Sequence, residues 1–341
     1  MPRAHGPEPA KGHLLWRLLA LQLLAAVLGC QKTPSKAVLP NQKITVAYTT
    51  QPQSTLVHVA VAKGYFAEEG LEVQSQLHTY GKAALQSMLD GKADFATVAE
   101  TPIMFSVLRG ERFSVIANIE ASSKNNAIVA SREAGISEPR DLKGKRVGFT
   151  PGTTSDFFLD SFLTAQGLAR RELRTVPLKP EEMRQAIRDR SVDAVCTWNY
   201  PLSQIERDLG ITGAVFYDRE IYTETFNIAV AREVLDGRPE AVQAFLRALI
   251  KAEQFVARQP EEAQVIVASA TAVDQNLIRE VWDAFNYSVR LDQTLLITLE
   301  DETRWAIKQK LTEQAVMPDY RKIIHEDSLL AIKAAAVKST R

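Results

Sequence analysis

Two stretches of the chain, about a hundred residues apart, follow one plan, and this internal repeat constrains the fold more than any other feature. Leu89–Ile103 and Ile187–Leu202 each run from a helix end through a polar turn and an Asp to a short apolar strand and then a Pro. The strands upstream also match, since Ile44–Pro52 reads ITVAYTTQP and Arg146–Thr154 reads RVGFTPGTT. Two similar α/β halves predict a cleft between them, with ligands at the carboxyl ends of the strands.

Composition excludes several classes of function. The 341 residues are 45% hydrophobic and 24% charged, which is typical of a globular protein of two domains. Lys plus Arg and Asp plus Glu both number 41, so no basic surface points to nucleic acid. The two Cys and five His lack the short spacings of metal ligands. We therefore expect neither a metal nor a cofactor.

The amino-terminal segment has the pattern of an export signal. The apolar run Leu14–Gly29 is interrupted by polar residues and is too short for a membrane span, which needs about twenty apolar residues. It ends in the letters VLGC, which resemble a bacterial lipobox with Cys30 as the lipidated residue. The alternative is a plain signal peptide followed by an incidental Cys. We predict a signal peptide over 1–29, a lipidated tether over 30–42, and a lipid anchor in the membrane.

Strand and helix patterns alternate along the rest of the chain. This order predicts an α/β fold of two Rossmann-like lobes with parallel-type sheets, and the chain is expected to cross between the lobes twice. Lobe one is expected to be discontinuous, over 43–126 and 226–341, and lobe two to span 127–225. After the strand at Phe226–Ala231 the chain reads as helical to its end, including Asn276–Phe285, and these helices are expected on lobe one.

Four blocks of sequence, taken in order, resemble one family. They are HVAVAKGYFAEEGLEV at His58–Val73, LDGKADFATV at Leu89–Val98, DLKGKRVGFTPGTTS at Asp141–Ser155 and RSVDAVCTWNYP at Arg190–Pro201. The resemblance is to solute-binding proteins of bacterial ABC importers, in the nitrate/sulfonate/taurine and thiamine-pyrimidine branch. It implies a type II periplasmic-binding fold whose two lobes are joined by a two-strand hinge, with a ligand between the lobes. It also implies a monomer outside the cytoplasm, with permease and ATPase subunits as partners.

The candidate ligand contacts stand at or near the carboxyl ends of the predicted strands. They are Tyr48, Thr50, Gln51, Glu100, Thr101, Thr153, Thr154, Ser155, Trp198, Asn199 and Glu224, with Phe226 a weaker candidate. Residues 153–155 open a helix, where free backbone N–H groups and hydroxyls favour an anion. The alternative there is simple capping, with Thr153 and Asp156 forming a capping box.

The other candidates also have two interpretations. Glu100 is either a cleft carboxylate that pairs with an ammonium group, in which case Glu100→Gln weakens the ligand, or an exposed carboxylate near a helix start. Trp198 is either a flat wall of the cleft or a core aromatic, and Asn199 is either a ligand contact or a turn residue. Cys196 is expected to be a small buried hydrophobe on its strand.

No Arg or Lys is predicted at these strand ends, which favours a zwitterion over a bare anion. We therefore expect a small organic solute of the aminosulfonate kind, with a pyrimidine-type vitamin precursor stacked on Trp198 as the alternative. An enzyme resembling the fungal pyrimidine-precursor synthases is a third possibility, but their cysteine-rich run is missing here, and no phosphate-binding loop is present. We predict a binding protein without catalytic activity.

Overall fold

A computed structural model describes residues 1–3, 6 and 41–338 of the chain. The lipidation site at Cys30 and almost all of the predicted signal peptide and tether lie outside the described residues. Within the described ranges, no helix is both long enough and apolar enough to cross a membrane.

The first sheet has six strands, ordered β11-β4-β10-β3-β1-β2. They are β1 (Gln42–Thr49), β2 (Leu71–His78), β3 (Phe95–Ala99), β4 (Phe113–Ser122), β10 (Glu224–Ala231) and β11 (Asn286–Arg290). Strands β2, β1 and β3 are parallel, as expected from their crossover helices, whereas β10 runs antiparallel to both β3 and β4. The sheet is therefore mixed, with a parallel half that carries the first repeat.

The second sheet has five strands, ordered β7-β6-β8-β5-β9. They are β5 (Asn126–Ser131), β6 (Arg146–Phe149), β7 (Arg174–Pro177), β8 (Ala194–Trp198) and β9 (Gly213–Phe216). Here β7, β6 and β8 are parallel, and β5 runs antiparallel to β8 and β9. The same parallel core with an antiparallel neighbour thus occurs in both sheets.

Helices connect the strands and cover the sheets. They are α1 (Thr55–Ala62), α2 (Tyr65–Glu68), α3 (Gly81–Leu89), α4 (Glu100–Leu108), α5 (Thr154–Ala165), α6 (Pro180–Arg188), α7 (Asn199–Leu209), α8 (Arg232–Gly237), α9 (Pro239–Arg258), α10 (Pro260–Thr271), α11 (Gln275–Val281), α12 (Gln293–Lys308) and α13 (Asp327–Leu330). The long helix α9 packs on the first sheet, where the ring of Phe245 stacks on Phe95 at 4.2 Å between centroids.

The sequence repeat is also a repeat of hydrogen bonds. Asp94 accepts a bond from the Thr45 backbone N–H at 2.7 Å, and Asp193 accepts one from the Arg146 N–H at 2.8 Å. Each Asp therefore joins the strand it precedes to the neighbouring parallel strand. This shared geometry explains why an Asp stands at the same place in both halves.

A serine repeats in the same way. The Ser54 hydroxyl accepts from the backbone N–H of Thr49 at 3.3 Å, and the Ser155 hydroxyl accepts from that of Thr150 at 3.2 Å. In each lobe the serine closes the turn that follows the first strand. The turn therefore depends on this residue in both halves.

The chain passes between the two sheets twice, from β4 to β5 and from β9 to β10. The two passages lie side by side, because Glu224 at the start of β10 pairs with Ser122 at the end of β4. This arrangement is the expected two-strand hinge. The residue limits of the lobes, 43–126 with 226–341 and 127–225, stay a prediction.

One expectation about secondary structure is wrong. The helix expected over Asn276–Phe285 ends at Val281, and the chain then forms β11, which pairs antiparallel with β4 at the edge of the first sheet. The alternation in NYSVR is only five residues long, and its strand character depends on a partner strand more than 160 residues earlier. Local patterning cannot supply that partner.

Candidate functional site

A pocket lies where the strand ends of the two lobes face each other, and it encloses about 290 Å³, counting space that is open to solvent. Its lining combines both lobes: Gln51, Gln53, Tyr80, Gly81, Lys82, Ala99, Pro102, Thr153, Thr154, Trp198, Glu224 and Phe226. Six of these residues were expected from the sequence, namely Gln51, Thr153, Thr154, Trp198, Glu224 and Phe226. The pocket is therefore at the edge of the sheets that the repeat predicts.

Lobe two contributes the first turn of α5. The N–H groups of Asp156 and Phe157 already donate to the Thr153 carbonyl, which leaves those of Thr154 and Ser155 at the positive end of the helix dipole, where an anion is favoured. The hydroxyls are already engaged, because Thr153 donates to the Thr150 carbonyl at 2.7 Å and Thr154 donates to the Asn126 side chain at 3.1 Å. The N–H groups are thus the better anion donors.

The capping box expected from Thr153 and Asp156 is wrong. The Thr153 side chain makes no capping bond, and the Asp156 carboxylate accepts instead from the Gly152 N–H at 2.8 Å. Asp156 therefore tightens the turn before the helix. Its position beside the helix start also offsets part of the positive potential there.

Lobe one contributes a cation that the sequence reasoning missed. Lys82 lines the pocket at the start of α3 and its Nζ donates to the Pro151 carbonyl of lobe two at 2.9 Å. Burial lowers the pKa of Lys82, and nearby Arg109 lowers it further, while Asp156 acts in the opposite direction. The sequence analysis found no Arg or Lys at the strand ends that carry the candidate residues, and Lys82 was missed because it follows β2, which was not among them.

The backbone beside Lys82 requires glycine. A Cβ added to Gly81 would lie 3.0 Å from the Val98 Cα and 3.3 Å from the ring of Phe226. This close approach brings the first turn of α3 against the end of β3 and places Lys82 at the mouth of the pocket. The Tyr-Gly-Lys sequence after a strand is the signal that could have identified this wall.

Glu224 supplies the negative charge of the pocket. Its carboxylate is buried and accepts from the side-chain amides of Gln53, Asn125 and Asn126 at 3.1, 2.8 and 2.7 Å. Burial raises the pKa of Glu224, and these amide donors oppose the increase. The Thr154 hydroxyl opposes the increase as well, so a further donor would compete with that hydroxyl for the carboxylate.

A chain of amides links Glu224 to lobe two. Gln53 donates to Glu224 with its NH₂ group and accepts from Asn199 Nδ2 at 3.1 Å with its carbonyl oxygen. Asn199 has φ +31, unusual for a residue other than glycine, and its own Oδ1 accepts from the Tyr200 N–H. Asn199 therefore does not line the pocket but fixes Gln53, which does.

Glu100 is placed differently from both interpretations of the sequence. It is fully buried, so it is neither an exposed carboxylate nor part of the pocket lining. It accepts from the Tyr222 hydroxyl and from the Thr225 N–H and hydroxyl, the latter two at 2.8 and 3.0 Å. Burial, and then the charge of Glu224, raise the pKa of Glu100 to about 8. Its contacts tie the second hinge passage to α4.

Four other candidates, like Glu100, do not line the pocket. The Tyr48 hydroxyl donates to the Ser75 hydroxyl at 3.1 Å. Thr50 follows β1, and its backbone N–H donates to the His78 carbonyl at 3.0 Å. Thr101 donates to the buried Glu302. The Ser155 hydroxyl donates to the Cys196 carbonyl at 2.7 Å, and Cys196 is itself buried, as expected for a small core residue.

Comparison with known proteins places this architecture among binding proteins. Over 224 residues the chain is 25% identical to the taurine-binding periplasmic protein of Escherichia coli, covering 64% of this chain and 68% of that one. It is 24% identical over 272 residues to the formylaminopyrimidine-binding protein of Halalkalibacterium halodurans, covering 77% and 81%. These relatives are binding proteins, which confirms the prediction of a binding protein rather than an enzyme.

The fold has a counterpart among solved structures. The alkanesulfonate-binding protein SsuA from Xanthomonas axonopodis, bound to MOPS, superposes with a TM-score of 0.74 at 16% identity, covering 84% of this chain and 99% of that one. At this identity the likeness concerns the fold alone. The family described as NMT1/THI5 like matches residues 51–263, and the chain therefore belongs to that family.

Proposed function

We propose that this protein is the extracytoplasmic solute-binding lipoprotein of an ABC importer, and that its solute is a small zwitterion of the aminosulfonate kind. The observation that carries the proposal is the presence of opposite charges in one interlobe pocket, Lys82 from the start of α3 and Glu224 from the hinge. The relatives are named as binding proteins, which supports the solute-binding role but not a particular solute.

The anionic end of the solute would lie between Lys82 and the first turn of α5. Lys82 Nζ already reaches across to lobe two, so its ammonium group and the N–H groups at Thr154 border the same space. A bond between an ammonium group and an anion contributes about 1.5–3 kcal/mol, and the helix dipole adds a smaller term. Sulfonate and carboxylate both suit these donors.

The cationic end would donate to Glu224. The carboxylate is buried and held by three amides, so it cannot turn away to find another partner. The three amides are neutral, so an ammonium group would supply the opposite charge that this buried carboxylate lacks, and a solute without a cation would not. Glu224 therefore selects for an amine.

The middle of the pocket is apolar and suits a short hydrocarbon link. Trp198, Phe226, Ala99 and Pro102 line it between the two charged ends. The same wall favours the alternative ligand, a pyrimidine-type precursor stacked on Trp198, because aromatic heterocycles stack on an indole face. The relative that binds formylaminopyrimidine supports this alternative.

The anchor and the partners belong to the same proposal. Lipidation at Cys30 would hold the protein at the outer face of a membrane, and a permease with its ATPase would receive the solute there. We propose a monomer, because the pocket is completed by the two lobes of one chain.

Calorimetric titration tests the ligand class directly. Taurine, ethanesulfonate, formylaminopyrimidine and nitrate would be titrated into the purified protein. We expect the strongest binding for taurine, and weaker binding for ethanesulfonate because it lacks the ammonium group. Equal affinity for taurine and ethanesulfonate would refute the role of Glu224. Binding of the pyrimidine alone would favour the alternative ligand.

A further inference from the structure

The two lobes also touch at a place away from the pocket, through the side of helix α5. The indole Nε1 of Trp305, on α12 of lobe one, donates to Oδ2 of Asp160, on α5 of lobe two, at 2.7 Å. Only 9% of Trp305 and 4% of Asp160 are exposed. The bond therefore joins the lobes in a buried position, where a hydrogen bond to a charged acceptor is strong.

Aromatic rings surround this bond. The ring of Phe157 on α5 meets Trp305 edge to face at 5.4 Å and Tyr222 of the second hinge passage at 5.2 Å. The ring of Phe105 on α4 also meets Trp305 edge to face, at 5.9 Å between ring centroids. Edge-to-face pairs at these distances are favourable, so α5 is held by apolar contact as well as by the hydrogen bond.

Asp160 is fixed from the lobe-two side. Its Oδ1 accepts from Arg170 Nε at 2.9 Å, and Arg170 Nη2 also donates to the Asp156 carbonyl at 2.9 Å. The guanidinium group lies 4.7 Å from the centroid of the Phe149 ring. Because Arg170 holds one oxygen, the other remains directed at Trp305.

The contact does not belong to the pocket lining but shares a helix with it. Thr153 and Thr154 line the pocket, whereas Asp160 lies about two turns further along α5, roughly 10 Å away at 1.5 Å per residue. A rigid helix transmits the position of its side contact to its first turn. The bond between Trp305 and Asp160 can therefore set the position of the N–H groups that face the pocket.

We propose that Trp305 and Asp160 form an interlobe latch, which positions the first turn of α5 over the pocket and favours the closed arrangement of the lobes before a solute arrives. Its effect on solute affinity rests on the proposed function, but its effect on the lobes does not. The apparent affinity of a binding protein is proportional to the fraction of molecules in the competent arrangement. Trp305 and Asp160 are thus positioning residues that act on the solute through α5.

The test compares Trp305→Phe and Asp160→Asn with the wild type. Trp305→Phe retains an aromatic ring and removes the N–H, whereas Asp160→Asn retains an acceptor and removes the charge. Trp282→Phe is the matched control, because Trp282 is a buried tryptophan of lobe one whose ring packs on Tyr287 of the same lobe. Circular dichroism confirms folding in each case, and if Trp305→Phe does not fold, Asp160→Asn decides.

The first measurement is small-angle X-ray scattering without added solute. We expect a larger radius of gyration for Trp305→Phe, an intermediate value for Asp160→Asn, and the wild-type value for Trp282→Phe. Wild-type scattering from both latch variants would overturn the proposal.

The second measurement is the taurine dissociation constant. We expect an increase of about tenfold for Trp305→Phe, mainly through faster dissociation, with no change for the control. An unchanged dissociation constant in both latch variants would also overturn the proposal. If taurine binds to none of the proteins, the proposed ligand class fails, and the scattering comparison alone decides whether the latch exists.

Discussion

The substitution Glu100→Gln tests how the buried carboxylates near the hinge control stability. Glu100 is fully buried, and burial together with the charge of Glu224 raises its pKa from 4.5 to about 8. The folded protein therefore holds the proton of Glu100 more tightly than the unfolded chain does. Consequently, the stabilisation associated with this group is complete below about pH 4.5 and is lost as the pH rises toward 8.

The change in the free energy of unfolding can be worked out from the change in the pKa of Glu100. Each pKa unit corresponds to about 1.4 kcal/mol, so a change from 4.5 to about 8 gives an upper limit on the order of 5 kcal/mol. Gln resembles the protonated acid, because its NH₂ group can donate to the Tyr222 oxygen while its carbonyl oxygen accepts from Thr225. The variant should gain stability relative to the wild type as the pH rises from 5 to 8.

Urea unfolding at pH 5, 6.5 and 8 measures this directly. The difference in the free energy of unfolding, variant minus wild type, should increase across the series by up to about 1.4 kcal/mol per pH unit. Glu68→Gln, at an exposed side chain, is the matched control and should follow the wild type. Parallel curves for wild type and Glu100→Gln would refute the assignment of a raised pKa to Glu100.

Three further substitutions test the pocket and the anchor. Glu224→Gln should weaken taurine by about ten- to a hundredfold in calorimetry and ethanesulfonate to a smaller extent, because it removes the charge that meets the ammonium group and one acceptor of the surrounding amides; equal losses for both would contradict a role for the charge. Lys82→Gln should weaken both sulfonates by at least tenfold, and an unchanged dissociation constant would exclude Lys82 from the anion site. Cys30→Ala should leave an unlipidated precursor, seen as the loss of acyl-chain labelling, and normal membrane partitioning of that variant would refute lipidation at Cys30.

The internal sequence repeat made much of the fold predictable. Asp94 and Asp193 occupy equivalent places because each bonds the neighbouring parallel strand, so a pattern of residue types corresponded directly to geometry. The parallel halves of both sheets and the edge at which the pocket lies follow from that pattern, whereas the hinge was expected from the family resemblance. β11 was missed because its pairing with β4 is distant in sequence, and local propensity cannot specify it.

The site was predictable in place but less so in detail. Trp198 and Glu224 were identified at strand ends and Thr154 at the start of the helix that follows a strand, and all three line the pocket. Glu100 also follows a strand end, but its side chain is directed into the protein. There its carboxylate accepts hydrogen bonds from the Tyr222 hydroxyl and the Thr225 backbone N–H. Whether a residue at a strand end faces inward or outward depends on these distant partners, which spacing along the chain does not reveal.

If the two lobes hold a small solute that bears both an anionic and an amine group, that solute should be released when the purified native protein is denatured. Mass spectrometry identifies the released small molecules. We expect about one molecule of a small amine-bearing acid per chain, and its loss from a Lys82→Gln and Glu224→Gln double variant. A released compound without an ionisable group, or one that the double variant retains equally well, would refute this binding mode.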